Sequence, residues 1–539
     1  MKIINSKIKK INILWIIALL EIFYLALYIF ADGKNLLDSD LSGEMVLASI
    51  LNRDKELVLA KNWFYTTELR VLNMQLYYRV FLLLFPTHWR IVRMCSVVAM
   101  HLTLVGSIYY LARKAEIKDA GAVTAVLCLC PFGGEYNWII TIGCCYTIPV
   151  AIAFFVPALI EDISERDKLR LKSKDTCLFL ILLILSVTGG MAGIRHLMIC
   201  SAPVFLAYMF LLIRQYMRGE RISIVGRSIK RVVLALLMLI ISFIGYIFNV
   251  KVLSNYYTFQ NISGTWLSDF DLSHILSRFG ELCGVLGYRP GEAFSMVGMQ
   301  SGLALIMFLI LCISFIYFLV NMSKYNDSEF LLVSYSGLSL LIGVVSISLT
   351  DWSDPRYAIP GLMLSFMAIG IFVTKIVACR EDEDYIVSLR KQRIKSICSV
   401  VLIMIVGLYC IKPNMVFYKS QNTKNLREAV SFLLENGYTK GYASLFNGAT
   451  QVELSNGQLE VWVMNYVEEQ EEDGLQILEF SQDKRHSMNM PEGQIYVLLD
   501  TEENALNPPY ALADHLVYDS TGFLIYEYDS ADELYATFD

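Results

Sequence analysis

The chain has 539 residues, of which 55% are hydrophobic and only 18% are charged. Because soluble domains carry about 25% charged residues, this composition excludes an ordinary water-soluble enzyme and indicates a membrane protein. The formal net charge of −6, with no long basic tract in the sequence, also excludes a nucleic-acid-binding protein.

Eleven segments are apolar enough to cross a membrane, since a bilayer core about 30 Å thick needs roughly 17–25 apolar residues per helix. The predicted spans are residues 11–31, 90–112, 119–133, 138–160, 176–190, 194–213, 230–252, 299–321, 329–350, 357–378 and 395–412. Two of them, 119–133 and 176–190, are short and end in Gly-rich turns (PFGGEY and TGGMAG). We expect these two to stop below the outer surface, where such turns line a protein cavity.

The distribution of Lys and Arg sets the expected orientation. With the N-terminus in the cytoplasm, every inner segment carries Lys or Arg, and the short outer turns carry almost none. An additional span at residues 69–86 would invert every later loop, so we predict a helix along the outer interface there. The sequence thus predicts a multi-pass plasma-membrane protein whose first span is an uncleaved signal anchor.

Two domains are expected. Residues 1–412 form an all-α transmembrane domain, whose first outer loop (32–89) carries interfacial helices, and residues 413–539 form an extracytoplasmic α/β domain. In the second, NLREAVSFLLENG predicts a helix that ends at Gly437. The segments GYASLF, QLEVWVM, GQIYVLLD and FLIYEY predict strands.

Ionisable side chains collect at the outer ends of the predicted spans, and such residues mark candidate functional sites because charge is costly near a bilayer. A carboxylate there can act as a general base or bind a metal, and Arg can hold a phosphate through two hydrogen bonds. The combination suits a lipid-anchored phosphate whose head group reacts at the outer face. The residues are Asp38, Asp40, Glu44, Arg93, Glu135, Arg195, His196, Asp351, Asp354 and Arg356.

Structural explanations exist for the same residues. The segment Asp38–Ser39–Asp40 fits the N-cap of an interfacial helix that has Glu44 in its first turns, and Glu135 fits a solvated turn. Arg356 fits an ion pair with an aspartate of its own turn, and the basic pair that opens the sixth span fits a head-group anchor. We favour a functional role because all of these residues share one depth.

The layout resembles that of polytopic GT-C glycosyltransferases, the class that includes protein O-mannosyltransferases, aminoarabinose transferases acting on lipid A and oligosaccharyltransferase catalytic subunits; within it, the chain is most similar to bacterial members. The resemblance rests on an acidic start to the first outer loop (DSDLSGE), interfacial helices (KNWFYTTELRVLNMQLYYRVFLLLF) and an arginine opening the second span (HWRIVRMCSVVAM). A G-x-R-H turn, an R-Y-x-x-P turn (DPRYAIPG) and the outer α/β domain complete it.

The resemblance implies a sugar donor on a polyprenyl phosphate or diphosphate and a base in the first outer loop. Asp40 or Asp38 would be that base, and the expected substrate-binding residues are Glu44, Arg93, Glu135, Arg195, His196, Asp354 and Arg356. The sequence has D-S-D where O-mannosyltransferases have adjacent Asp and Glu, and it shows no clear second D-x-D in a later outer loop. The sequence therefore indicates no particular cofactor. The absence of a second D-x-D argues against a required divalent metal.

The function expected is transfer of a sugar from a polyprenyl-phosphate donor in the bilayer to a surface glycan, lipid or protein acceptor. The alternative is a transporter or flippase for a lipid-linked glycan, which would need polar residues through the full depth of the bundle and some internal repeat. A non-enzymatic scaffold would leave the acidic and basic layer unexplained.

Overall fold

A computed structural model gives the fold. It describes residues 13–66, 69–140, 142–143, 146–165, 173–223, 226–259, 272–291, 295–349, 354–377, 402, 405–407, 409–410, 420–465 and 475–538.

The first part of the described chain is a helical bundle. Fourteen helices are described before residue 378. They are α1 (Ile13–Asp32), α2 (Ser39–Arg53), α3 (Met74–Leu84), α4 (Trp89–Lys114), α5 (Lys118–Leu129), α6 (Gly134–Ile140), α7 (Thr147–Ser164), α8 (Ser173–Met191), α9 (Ile194–Met217), α10 (Arg227–Lys251), α11 (Leu272–Val285), α12 (Met296–Val320), α13 (Asp327–Ser348) and α14 (Ile359–Val377).

Eight helices in the described residues are long and apolar enough to cross a membrane, or nine if α5 and α6 form one bent span. The prediction of eleven spans is therefore confirmed only in part. The span predicted at 138–160 is wrong at its start: α7 begins at Thr147, after a break that contains Gly143 with a φ of +79°. The span predicted at 395–412 lies mostly outside the described residues.

Small residues let the helices of the bundle approach closely. A Cβ placed on Gly190 of α8 would lie 1.9 Å from the carbonyl oxygen of Ser242 in α10, and one on Gly245 would lie 2.4 Å from the carbonyl oxygen of Val187. The Ser201 hydroxyl of α9 donates to that of Ser242 over 3.0 Å. Such contacts are typical of membrane helices, because lipid provides no hydrophobic drive for their association.

The last part of the described chain is an α/β region. Its helices are α15 (Ser420–Glu435), α16 (Leu445–Leu454), α17 (Thr501–Ala505) and α18 (Ala531–Tyr535). Its strands, with one strand from the first loop of the bundle, are β1 (Trp63–Phe64), β2 (Lys440–Ser444), β3 (Glu460–Met464), β4 (Gln482–Asp483), β5 (Ile495–Asp500), β6 (Leu516–Asp519) and β7 (Phe523–Tyr528).

Five of these strands form one mixed sheet in the order β3-β2-β5-β7-β6. β2 is parallel to both β3 and β5, and β7 is antiparallel to β5 and β6. Side chains alternate along β5: Tyr496 and Leu498 pack with α15, whereas Val497 and Leu499 pack with Tyr510 and α18 on the other face. Both faces of the sheet are therefore covered, as expected for strands with near-continuous apolar sequence.

Several expected elements of this region are confirmed and others were missed. α15 stops where Gly437 has a φ of +82°, as the NLREAVSFLLENG pattern predicts. The first four residues of GYASLF are strand and the last two are helix, because β2 ends at Ser444 and α16 begins at Leu445. The pattern also missed α11 inside the expected loop 253–298, β6, and the antiparallel pair β1–β4 that joins the first loop to the α/β region.

A buried ion pair joins the α/β region to the bundle. Arg93 of α4 donates from Nε to Glu453 Oε1 at 2.6 Å and from Nη2 to Oε2 at 2.5 Å, and only 2% of the arginine side chain is exposed. The same guanidinium donates to the Leu41 carbonyl oxygen of α2 at 3.2 Å and to the Tyr78 hydroxyl of α3 at 2.9 Å. One side chain therefore links α2, α3, α4 and α16.

We predict that Glu453→Gln destabilises the fold by about 3–5 kcal/mol, because it leaves the Arg93 charge buried without its counter-charge. Thermal unfolding of the detergent-solubilised protein, followed by tryptophan fluorescence, measures the effect. Glu281→Gln is the matched control, since its ion pair with Arg278 is partly exposed and such pairs contribute about 0–1 kcal/mol. Equal melting temperatures for the two variants would contradict the prediction.

Candidate active site

The first acidic cluster of the sequence lies at the start of α2. Asp38 is the N-cap, and its carboxylate accepts a hydrogen bond from the Leu41 backbone N–H at 3.0 Å. Aspartate is a favoured residue at this position because it satisfies a free helix N–H. Asp40 lies in the first turn with 54% of its side chain exposed. The cap and the first turn thus divide the D-S-D motif into a bound carboxylate and an accessible one.

The DPRYAIPG turn places Arg356 opposite this helix. Asp354 caps the 3₁₀ turn Pro355–Ala358 by accepting from the Arg356 backbone N–H at 2.9 Å. The Arg356 Nε lies 2.9 Å from an Asp354 carboxylate oxygen, and its Nη1 lies 3.7 Å from Asp40 Oδ2. The guanidinium also lies over the Trp138 ring of α6, 5.1 Å from its centroid. The predicted ion pair within the turn is therefore present, and it coexists with a longer contact to Asp40.

These groups border one cavity of about 640 Å³. It brings together Asp38, Asp40, Glu135, Asp354 and Arg356, which come from three separate stretches of the chain. The side of the cavity formed by the bundle is completed by Leu37, Ser39 and Trp138. The side formed by the α/β region consists of Thr423, Leu426, Leu445, Phe446, Asn447, Thr450, Asp500, Thr501, Glu502 and Phe523.

Arg195 lies near the cavity without lining it. Its Nη1 donates to the Tyr146 hydroxyl at 2.5 Å, and its guanidinium lies 4.4 Å from the centroid of the Tyr357 ring. Arg356 lies 5.5 Å from the centroid of the same ring. The two guanidiniums therefore share Tyr357 as a neighbour and form a basic edge beside the carboxylates. Cation–π contacts of this kind hold arginine side chains in place.

The remaining predicted residues lie away from the cavity. Arg93 is bound to Glu453, as described above. Glu44 pairs with Arg70 at 3.4 Å. His196 is buried against Gly189, and neither ring nitrogen has a hydrogen-bond partner among the described residues. Asp351 is outside the described residues.

None of the cavity residues that the α/β region contributes was predicted from the sequence. Thr450 and Asn447 lie on α16, which follows β2 directly, and Glu502 lies on α17, which follows β5. A strand that runs straight into a helix is a signal for this arrangement, because ligands of α/β folds bind at the carboxyl ends of parallel strands. The signal was hidden because the GYASLF segment reads as a single strand.

Burial raises the pKa of Asp38 to about 7, and the neighbouring carboxylate of Asp40 acts in the same direction. No three His, Cys, Asp or Glu side chains are arranged to hold a metal ion within the described ranges. The site can therefore offer an accessible carboxylate, a second carboxyl group whose pKa is raised by burial, and a guanidinium within 4 Å of the first.

Comparison with known proteins identifies the fold. ArnT from Cupriavidus metallidurans bound to undecaprenyl phosphate aligns with a TM-score of 0.53 at 11% identity, over 96% of this chain and 97% of that chain. Its apo state gives a TM-score of 0.54 with the same identity and coverage. The chain has a GT-C-type glycosyltransferase fold. The apo oligosaccharyltransferase of Archaeoglobus fulgidus aligns less well, with a TM-score of 0.48 at 11% identity over 96% of this chain and 74% of that chain.

At the level of sequence, no protein-family model and no curated protein matches the chain. The predicted resemblance to this class is confirmed by the fold, and the similarity is one of architecture.

We predict that Asp38→Asn raises stability at high pH and leaves it unchanged at low pH. Asparagine retains the helix cap. A carboxyl whose pKa is about 7 when folded and about 4 when unfolded holds its proton longer in the folded state. The wild type therefore loses stability as pH rises from about 4 to 7.

Melting temperatures of both proteins at pH 4.5, 6 and 8 test this prediction. The difference in melting temperature between Asp38→Asn and the wild type should be smallest at pH 4.5 and largest at pH 8. Asp500→Asn, a change of the cap residue of α17, is the matched control and should not reproduce the trend. A constant difference for Asp38→Asn would refute the titration.

Proposed function

We propose that this protein is a membrane glycosyltransferase that moves a sugar from a polyprenyl-phosphate donor to a cell-envelope acceptor at the outer face of the plasma membrane. The observation that carries the proposal is the placement of Asp40 beside Arg356 in one cavity, with 3.7 Å between carboxylate and guanidinium. A base and a cation at this distance are the two groups that glycosyl transfer from a phosphate requires. The GT-C-type fold supports the same class of reaction.

The donor phosphate fits the basic edge formed by Arg195 and Arg356. The undecaprenyl phosphate in the ArnT structure supports a lipid phosphate as the ligand of this fold. A nearly apolar groove of about 900 Å³ between α9, α11, α12 and α13 offers a place for the isoprenoid chain. α11 lines this groove and also packs against the Pro355–Ala358 turn. Since that turn carries Arg356, α11 connects the groove to the basic edge.

Asp40 is the proposed base because its carboxylate is accessible, whereas that of Asp38 is used as a helix cap. The carboxylate takes the proton from an acceptor hydroxyl, and the oxygen attacks the anomeric carbon of the donor sugar. The bond from that carbon to the phosphate oxygen breaks, and polyprenyl phosphate leaves with its charge beside the arginines. Phosphate is a good leaving group, so electrostatic stabilisation is the main requirement on this side.

We predict that Asp40→Asn lowers transfer by 10²–10⁴-fold, the usual contribution of a general base. The assay follows release of undecaprenyl phosphate from a panel of undecaprenyl-phosphate sugars by mass spectrometry, with a membrane extract as acceptor. Asp532→Asn, in the first turn of the surface helix α18, is the control. Normal turnover in Asp40→Asn would rule out this base. Movement of donor across vesicles without release would favour the alternative, a lipid-linked glycan transporter.

We predict that Arg356→Met weakens binding of undecaprenyl phosphate by at least tenfold, because a charge-assisted contact to phosphate is lost. Binding to the purified protein in nanodiscs is measured by native mass spectrometry, and the result does not depend on the identity of the donor sugar. Asp40→Asn should bind the lipid at least as well as the wild type, since it removes a negative charge from the site. Arg485→Met, on the surface of the α/β region, is the control. Unchanged binding in Arg356→Met would remove this arginine from the phosphate site.

A further inference from the structure

The side of the cavity formed by the α/β region is a crevice at the carboxyl ends of two parallel strands. From β2 the chain passes through α16 to β3 on one side, and β5 lies on the other side of β2. The chain thus leaves β2 and β5 in opposite directions, and open α/β sheets bind ligands at such a switch point. The residues that follow the two strands, Leu445 to Asn447 and Thr501 to Glu502, line the cavity. This crevice faces Asp40 across the same cavity.

Two buried hydroxyls in the cavity lining have no hydrogen-bond partner in the described part of the chain. Thr450, which is 1% exposed, and Ser39, which is 6% exposed, both line the cavity. Their hydroxyl oxygens find no donor or acceptor among the described residues. Buried polar groups are nearly always paired, and an unpaired one costs about 1–3 kcal/mol. A ligand that hydrogen-bonds to these hydroxyls would therefore recover that cost.

Other lining groups have the chemistry of sugar recognition. Asn447 offers an amide, which binds hydroxyl groups. The Phe446 ring, with 53% of the residue exposed, presents an aromatic surface to the same space. A sugar ring has hydroxyls at its edge and C–H groups on its faces, so it matches an amide, hydroxyls and an aromatic ring together.

The charge of the cavity restricts what can enter the crevice. Among the described residues that line it, Arg356 is the one basic side chain, and this guanidinium lies on the side formed by the bundle. The acidic side chains of the lining are Asp38, Asp40, Glu135, Asp354, Asp500 and Glu502. An anionic group bound beside Glu502 would be repelled by this carboxylate and by Asp500, whereas Arg356 lies on the side formed by the bundle. The crevice therefore disfavours uronic acids, phosphates and sulfates.

We propose that the crevice between the ends of β2 and β5 is the acceptor subsite, and that the acceptor group is a sugar unit without acidic substituents. The inference rests on the proposed function and narrows its acceptor from any envelope glycan, lipid or protein to a sugar hydroxyl. Asn447 and Thr450 orient the sugar, and Glu502 excludes anionic analogues. The attacking hydroxyl then points across the cavity towards Asp40.

Saturation-transfer NMR on the full-length protein in nanodiscs tests the subsite directly. The probes are the methyl glycosides of glucose, galactose and N-acetylglucosamine, with methyl glucuronide as the anionic comparison. We expect millimolar binding of at least one neutral glycoside and at least tenfold weaker binding of the glucuronide. The Asn447→Ala/Thr450→Val variant should weaken neutral binding at least fivefold. Thr521→Val, at an exposed threonine before β7, should leave it unchanged.

Glu502→Gln provides a second test that does not disturb buried residues, because Glu502 is exposed. It should reduce the discrimination against glucuronide at least threefold while neutral binding persists. Binding of no neutral glycoside, or equal binding in the wild type and the Asn447→Ala/Thr450→Val variant, would overturn the subsite. Preference for glucuronide would overturn the charge argument.

The transfer assay separates this inference from the proposed function. If Asp40→Asn loses transfer but the Asn447→Ala/Thr450→Val variant binds sugar like the wild type, the subsite is refuted and the proposed function is not. Sugar binding that depends on these residues, with normal transfer in Asp40→Asn, would refute the base and leave the crevice as a sugar-binding site.

Discussion

The Arg93 guanidinium fixes the two sides of the cavity relative to each other. It binds Glu453 on α16 and the Leu41 carbonyl oxygen on α2, and these helices carry Thr450 and Asp40 respectively. A buried charge needs its partner in place, since leaving it alone is far more costly than the pair is stabilising. The ion pair thus fixes the position of α16 relative to α2. It thereby sets the distance between the Asp40 carboxylate and the Thr450 hydroxyl.

Local patterns carried most of what could be predicted from sequence, and long-range partners account for what could not. The outer layer of polar residues was predictable because charge is costly in a bilayer, and five of its members do meet in one cavity. Arg93 belongs to the same layer by position, yet its partner lies 360 residues away. No spacing rule connects Arg93 to Glu453, and from the sequence alone Arg93 was therefore predicted to bind the substrate. The cavity residues on α16 were not predicted because the end of β2 and the start of α16 lie in one apolar segment, GYASLF.

Charge is distributed unevenly across the site, and Arg356 lies at the boundary. On one side Arg195 shares the Tyr357 ring with it; on the other side Asp40 and Asp354 approach within 4 Å. A lipid phosphate on the basic side and a hydroxyl beside Asp40 would then meet at this guanidinium. In transfer from an anionic donor, the carboxylate that activates the nucleophile also repels the donor phosphate. A cation placed between them screens this repulsion and still faces the leaving group.

The α/β region completes the cavity in which the proposed reaction takes place. An isolated bundle would offer Asp40 and Arg356 to a half-open surface, where water competes as nucleophile and weakens every electrostatic contact. With α16 and α17 in place, the same residues lie in a cavity of about 640 Å³, a volume in the range of small-molecule sites. The carboxyl ends of β2 and β5 suit this position because helices that begin there direct backbone N–H groups and short polar side chains towards the ligand. Because each side of the cavity holds only some of its polar side chains, the proposed recognition requires both the bundle and the α/β region.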